Sequence, residues 1–226
     1  MIGAYIIGIL FAVVGMIISG VLRSKFKKYS LIPVKGGLTG KDIAERMLRE
    51  NGIDDVQVIS VAGMLTDHYN PVNKTINLSE GVYSSNSIAA AAVAAHECGH
   101  AVQHAKNYAW LQLRSKLVPV VSISSQWVMW IILAGIILVN SFGTTLLLAG
   151  IILFGITTLF SFITLPVEID ASRRAIHWLE GSAVAGTMEM GKAKDALRWA
   201  GYTYIAAALG SLATLLYYIM IYMGRR

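Results

Sequence analysis

The chain has 226 residues, 55% of them hydrophobic and 14% charged, with a mean hydropathy of +0.59 and a net charge of +6. Charged residues make up about a quarter of an ordinary soluble domain, so this composition excludes that class and points to a membrane protein. The cations sit at the ends of apolar blocks, which argues against nucleic acid as a partner, and the single cysteine, Cys98, excludes an intrachain disulfide.

In chain order, the first block, Met1 to Leu22, carries no charge and predicts a membrane helix over 2–22. It lacks a basic segment ahead of it, and its cations (Arg23, Lys25, Lys27, Lys28) follow the apolar run, so it reads as a retained anchor and not a cleaved signal. Residues 30–116 are the one sizeable polar segment. Within it, Thr39 followed by KDIAERMLRENG predicts a capped amphipathic helix with Ile43, Met47 and Leu48 as its apolar stripe, ended by Asn51-Gly52. VQVISV (56–61) alternates like a strand and KTINLSE (74–80) reads as a second short strand, giving one or two hairpin strands, and Gly63 to Pro71 reads as a polar turn region. SSNS then offers Ser or Asn caps for an alanine-rich helix that holds His96-Glu97-Cys98-Gly99-His100.

Leu117 to Val167 is uncharged over 51 residues, enough for two spanning helices, 118–139 and 144–165, with Asn140-Ser141-Phe142-Gly143 as the turn between them. A polar segment over 166–200 follows, and then a fourth apolar helix over 201–223. Cations flank 23–28, 114–116, 173–174 and 192–198, which places 23–116 and 166–200 on the cytoplasmic side. Arg225-Arg226 falls on the other side in this topology. The expected fold is therefore a mainly α membrane protein with about four transmembrane helices and a small α+β lobe. Eighty-five residues make a marginal core alone, so the lobe is expected to lean on the membrane helices and on 166–200, giving one integrated domain over 1–226.

The HExxH pattern carries the chemistry. Two histidines four apart lie about 40° from each other on a helix and one turn apart in height, so both imidazoles reach one metal ion. The glutamate beside the first then meets a metal-bound water as its base. Cys98, about 200° around the helix from His96, faces away and reads as a small core residue. A catalytic zinc takes three protein ligands and keeps one position open. The strongest candidate for the third is Glu168, in LPVEIDASRRAIHWL on the same predicted membrane face, with Asp170 as the rival carboxylate. His177 lies on the opposite helix face and reads as a surface residue. His104, a further turn along the HExxH helix, is offset by about 80° and suits a bracing or substrate-facing role, direct ligation requiring a bend. His68 and Tyr69, in LTDHYNP, and Arg173 are candidate donors to a developing oxyanion.

GLTGKDIAERMLRENG, LTDHYNP, KTINLSEGVY, SIAAAAVAAHECGHAVQH and LPVEIDASRRA together resemble the bacterial YugP-type zinc membrane metallopeptidases, over nearly the whole chain. More distantly, HExxH followed by Glu-x-x-Ala-Asp-x-x-Ala is similar to gluzincins such as the HtpX and CAAX-prenyl proteases. The resemblance implies a zincin-like lobe and a metal ligand at Glu168. It puts Ala171 and Ala175 at the small positions and Ser172 where those relatives carry an aspartate that braces a zinc histidine. It also implies that KTINLSE is an edge strand on which a peptide substrate lies extended.

The expected activity is that of an integral membrane zinc metalloendopeptidase of the cell membrane, with its site on the cytoplasmic side. It would hold one Zn²⁺ per chain on His96, His100 and Glu168, with Glu97 as base. The rival reading is a non-catalytic membrane scaffold with a structural zinc. The expected partners are a protein or peptide substrate at the membrane, the lipid bilayer itself, and a second copy or an accessory membrane protein. Small residues over 206–211 suit close helix packing within or between chains.

Overall fold

The computed structural model describes residues 2–138, 141–182, 184 and 186–224, with the backbone alone at 2–5, 141 and 187. Asn140 of the expected turn, and Arg225-Arg226, lie outside the described residues. The elements run α1 (Ile2–Tyr29), α2 (Gly40–Glu50), β1 (Gln57–Val61), β2 (His68–Asn70), β3 (Thr75–Ser79), α3 (Glu80–Tyr83), α4 (Ile88–Ala105), α5 (Ala109–Ile137), α6 (Ser141–Gly181) and α7 (Thr187–Met223). Four helices, α1, α5, α6 and α7, are long and apolar enough to cross a membrane.

All four run past the expected bounds. α5 begins at Ala109 where the apolar block begins at 117, and the polar segment 166–200 is mostly helix, as the end of α6 and the start of α7. The reason is that hydropathy marks where a helix is apolar, while a helix continues as long as its backbone bonds are made and no breaker intervenes. Ser141–Gly143 accordingly form the first turn of α6.

The chain divides into two compact units. The first lies within Met1–Ile17, Gln112–Leu165 and Thr203–Arg226. Its core joins Val128 and Ile132 of α5 to Leu147 and Ile151 of α6, with Leu215 and Tyr218 of α7 against them. A Cβ at Gly135 would stand 2.5 Å from the Leu147 backbone nitrogen, so the absence of a side chain is what lets α5 and α6 approach here.

The second unit, Ile18–Leu111 with Pro166–Tyr202, holds the sheet and the HExxH helix. α2 opens on a capping box: the Thr39 hydroxyl accepts from the Asp42 N–H (3.2 Å) while the Asp42 carboxylate accepts from the Thr39 N–H (2.9 Å). The stripe Ile43, Met47 and Leu48 is buried, packed on α4 with Ile76, Leu78 and Val82. Thr39→Ala is expected to cost about 0.5–2 kcal/mol, read as a lower midpoint of thermal unfolding in detergent, and an unchanged midpoint would show the box to be idle.

The sheet departs from expectation in two ways. His68–Asn70, inside the region expected to be turn, forms β2 and makes a hairpin with β3, His68 opposite Asn77 and Asn70 opposite Thr75. β1 pairs with β3 in parallel, Gln57 opposite Thr75, so the order is β1-β3-β2. β3 (within KTINLSE) is therefore the central strand and not an edge, because both of its sides are hydrogen-bonded. Its polar residues Asn77 and Ser79 are buried as well: Asn77 donates to the His68 carbonyl, and Ser79 donates to Asp67 from both its N–H and its hydroxyl. KTINLSE thus came with two covered faces, and three residues of β2 are too few to show a period of two.

Candidate metal centre

α4 is capped by Ser87, whose hydroxyl accepts from the Ala90 N–H. Its alanines and Gly99 make it thin, so neighbouring elements come close. A Cβ at Gly99 would stand 2.5 Å from the carbonyl oxygen of Ala171 on α6, and Ala171 and Ala175 are fully buried. That close approach brings Glu168, one turn before Ala171, onto the two histidines. Glu168 Oε2 lies 3.3 Å from His96 Nε2 and 3.6 Å from His100 Nε2, and the two imidazoles stand nearly perpendicular. Among the described residues this is the one grouping of three or more His, Cys, Asp or Glu side chains close enough to share a metal.

The donor set fits zinc. Bonds of about 2.0–2.2 Å in a tetrahedron put neighbouring ligand atoms about 3.3–3.6 Å apart, and Glu168 stands 3.3 and 3.6 Å from the two imidazole nitrogens. A carboxylate only 4% exposed also needs a counter-charge, which a divalent cation between it and two neutral imidazoles supplies. Burial by itself lowers the His100 pKa, but the Glu168 carboxylate beside it and the charge of Glu97 outweigh that and raise it.

Each histidine is held from behind through Nδ1. Ser172 Oγ lies 3.1 Å from His96 Nδ1, at the position where the resembled relatives carry aspartate. Gln103 Oε1 lies 3.0 Å from His100 Nδ1. Sequence reasoning passed over Gln103, though it stands three residues after His100, on the same helix face. Glu97 lies beside His96, 8% exposed, and its Oε2 accepts the Tyr69 N–H at 3.0 Å. β2 thereby positions the carboxylate, and the Tyr69 hydroxyl is hydrogen-bonded to His104 Nδ1 at 2.8 Å. Burial raises the Tyr69 phenol, with the charge of Asp55 adding, so at neutral pH it keeps its proton.

The other candidates lie elsewhere. Asp170 accepts from Arg174 and from Gln103 and is not among the three converging groups. His68 is exposed and donates from Nδ1 to the Thr66 carbonyl, while Arg173 and His177 are exposed on α6. Cys98 is buried with its thiol directed at the Ala44 carbonyl, and burial pushes its pKa well up, which suits a core residue.

A family model described as "Putative neutral zinc metallopeptidase" matches residues 4–223. The chain is 42% identical over 205 residues to the "Putative membrane protease YugP" of Bacillus subtilis (strain 168), covering 91% of this chain and 90% of the relative. No solved structure matches it.

Proposed function

The chain belongs to this family of neutral zinc metallopeptidases, and we propose that it is an integral membrane endopeptidase of the gluzincin kind, with one zinc held by His96, His100 and Glu168. The observation that carries the reading is the convergence of those three side chains next to Glu97, whose carboxylate is anchored by the Tyr69 N–H. When bound, the zinc supplies Lewis acidity, lowering the pKa of a water and polarising the scissile carbonyl. The protein supplies the rest. Glu97 Oε2 is fixed by Tyr69, leaving Oε1 to take the water proton and pass it to the leaving amine. Ser172 and Gln103 hold the imidazoles so that both Nε2 atoms face Glu168. The Tyr69 hydroxyl, paired with His104 and carried by the residue whose N–H anchors Glu97, is the proposed donor to the oxyanion.

A structural zinc closes its fourth position with a further Cys or His. Here the grouping stops at three among the described residues and the one thiol points to Ala44, which favours an open, catalytic site over the scaffold reading. The substrate is a protein or peptide chain at the membrane surface. An extended segment of it would add to β2, the free sheet edge that touches Glu97. The flanking cations favour a cytoplasmic site in a multi-pass protein of the cell membrane.

Metal analysis of the detergent-solubilised chain tests the ligand set. Wild type is expected to carry one zinc, and Glu168→Ala to lose more affinity than the ten- to hundredfold that removal of an outer hydrogen bond costs. Zinc retained at wild-type affinity without Glu168 would sink the proposed ligand set, and a wild type without zinc would sink the enzyme reading.

A further inference from the structure

Gln103 is a fully buried amide between α4 and α6. Its Nε2 donates to the Val167 carbonyl at 2.7 Å and to Asp170 Oδ2 at 2.9 Å, and that same carboxylate oxygen accepts Arg174 Nε at 2.6 Å. Two acceptors on one side of the amide fix its orientation. The reversed amide would set its oxygen against a carbonyl and a carboxylate, so Nε2 must face them and Oε1 must face His100. An amide oxygen only accepts, so His100 carries a proton on Nδ1, which leaves Nε2, the nitrogen facing Glu168, as the one that can ligate a metal. The other end of the same amide grips the carbonyl of the residue immediately before Glu168.

We propose that Gln103 is the positioning residue of the metal site, fixing the tautomer of His100 and the backbone next to Glu168 together, so that ligands on two helices stay in register. This rests on the reading of His96, His100 and Glu168 as zinc ligands. Asp170 and Arg174 complete the link: the ion pair on α6 holds the acceptor that keeps the Gln103 amide from turning over.

Gln103→Met keeps the bulk and removes both hydrogen-bonding ends. Zinc affinity of the full chain in detergent, measured with a competing chelator, is expected to fall about ten- to hundredfold. The visible spectrum of the cobalt(II)-loaded variant is expected to shift, since it reports ligand geometry. Introduced into His100→Ala, the same change is expected to cost less affinity than in wild type, because the part of its effect that runs through His100 is already gone and only the hold on the Val167 carbonyl remains. Nitrogen NMR of the histidines in the zinc-loaded wild type, which needs no variant to fold, is expected to find His100 protonated at Nδ1. Wild-type affinity in Gln103→Met, an equal loss in the His100→Ala background, or a proton-free Nδ1 on His100 would each overturn the proposal alone. A wild type that takes up no zinc would overturn the zinc reading and this proposal with it.

Discussion

Glu97→Gln is expected to lower peptide hydrolysis by about 10²–10⁴-fold while the chain keeps its zinc. The substitution is isosteric, and its amide oxygen still accepts the Tyr69 N–H, so the anchoring of residue 97 to β2 survives. His96, His100 and Glu168 are untouched. What is removed is the one basic oxygen available to take a proton from water, since an amide carbonyl is far too weak a base at neutral pH. The measurement is kcat/KM on a quenched fluorescent peptide beside metal content on the same preparation. Full turnover would exclude Glu97 as the base. Loss of zinc together with turnover would show that residue 97 holds the site together and does not only act in it.

Gly99→Ala is expected to damage the site from within the helix pair. All three atoms nearest to the added methyl belong to the Ala171 backbone: its carbonyl oxygen at 2.5 Å, and its carbonyl carbon and Cα at 3.0 Å. No rotamer relieves contacts with main chain, so α4 and α6 must part. Such overpacking costs about 1–3 kcal/mol, against about 1 kcal/mol gained from alanine's better helix propensity, so the clash wins or at best breaks even in stability. The metal site has no such compensation. Gly99 is the neighbour of His100, and Glu168 precedes Ala171 by one turn, so separation at residue 99 opens the 3.3 and 3.6 Å spacings directly. Zinc affinity is expected to fall more than tenfold, with a small drop in the unfolding midpoint. Unchanged zinc affinity would mean that α4 and α6 tolerate a wider spacing than the ligand geometry implies.

Much of the fold was legible because membrane helices and amphipathic helices both declare themselves by period and length. The four apolar blocks, the Thr39 cap and the buried stripe Ile43, Met47 and Leu48 followed from patterns of that kind. The sheet was less legible. β2 has three residues, and the parallel pairing of β1 with β3 depends on which strand inserts between which, a matter of long-range contacts. KTINLSE reads as a short strand, which the family resemblance implies to be an edge, yet Asn77 and Ser79 are buried and satisfied by His68 and Asp67. A polar residue with a distant partner looks in sequence like one facing water.

The candidate site divides along the same line. The sequence by itself determined the pair His96 and His100 and the glutamate between them, because a helix repeats every 3.6 residues and four positions bring side chains onto one face. It also favoured Glu168 in VEIDA as the third group, with Asp170 as the rival, on membrane side and family resemblance and not on geometry. Only the tertiary structure supplies the contact itself: Asp170 is drawn off by Arg174 and Gln103, while the missing side chain of Gly99 lets α6 close on α4 and carry Glu168 to the imidazoles. The hold of Tyr69 on Glu97 and of Gln103 on His100 was decided there as well. The first joins residues 28 apart, and the second is fixed by acceptors more than 60 residues away, and periodicity records nothing at such separations.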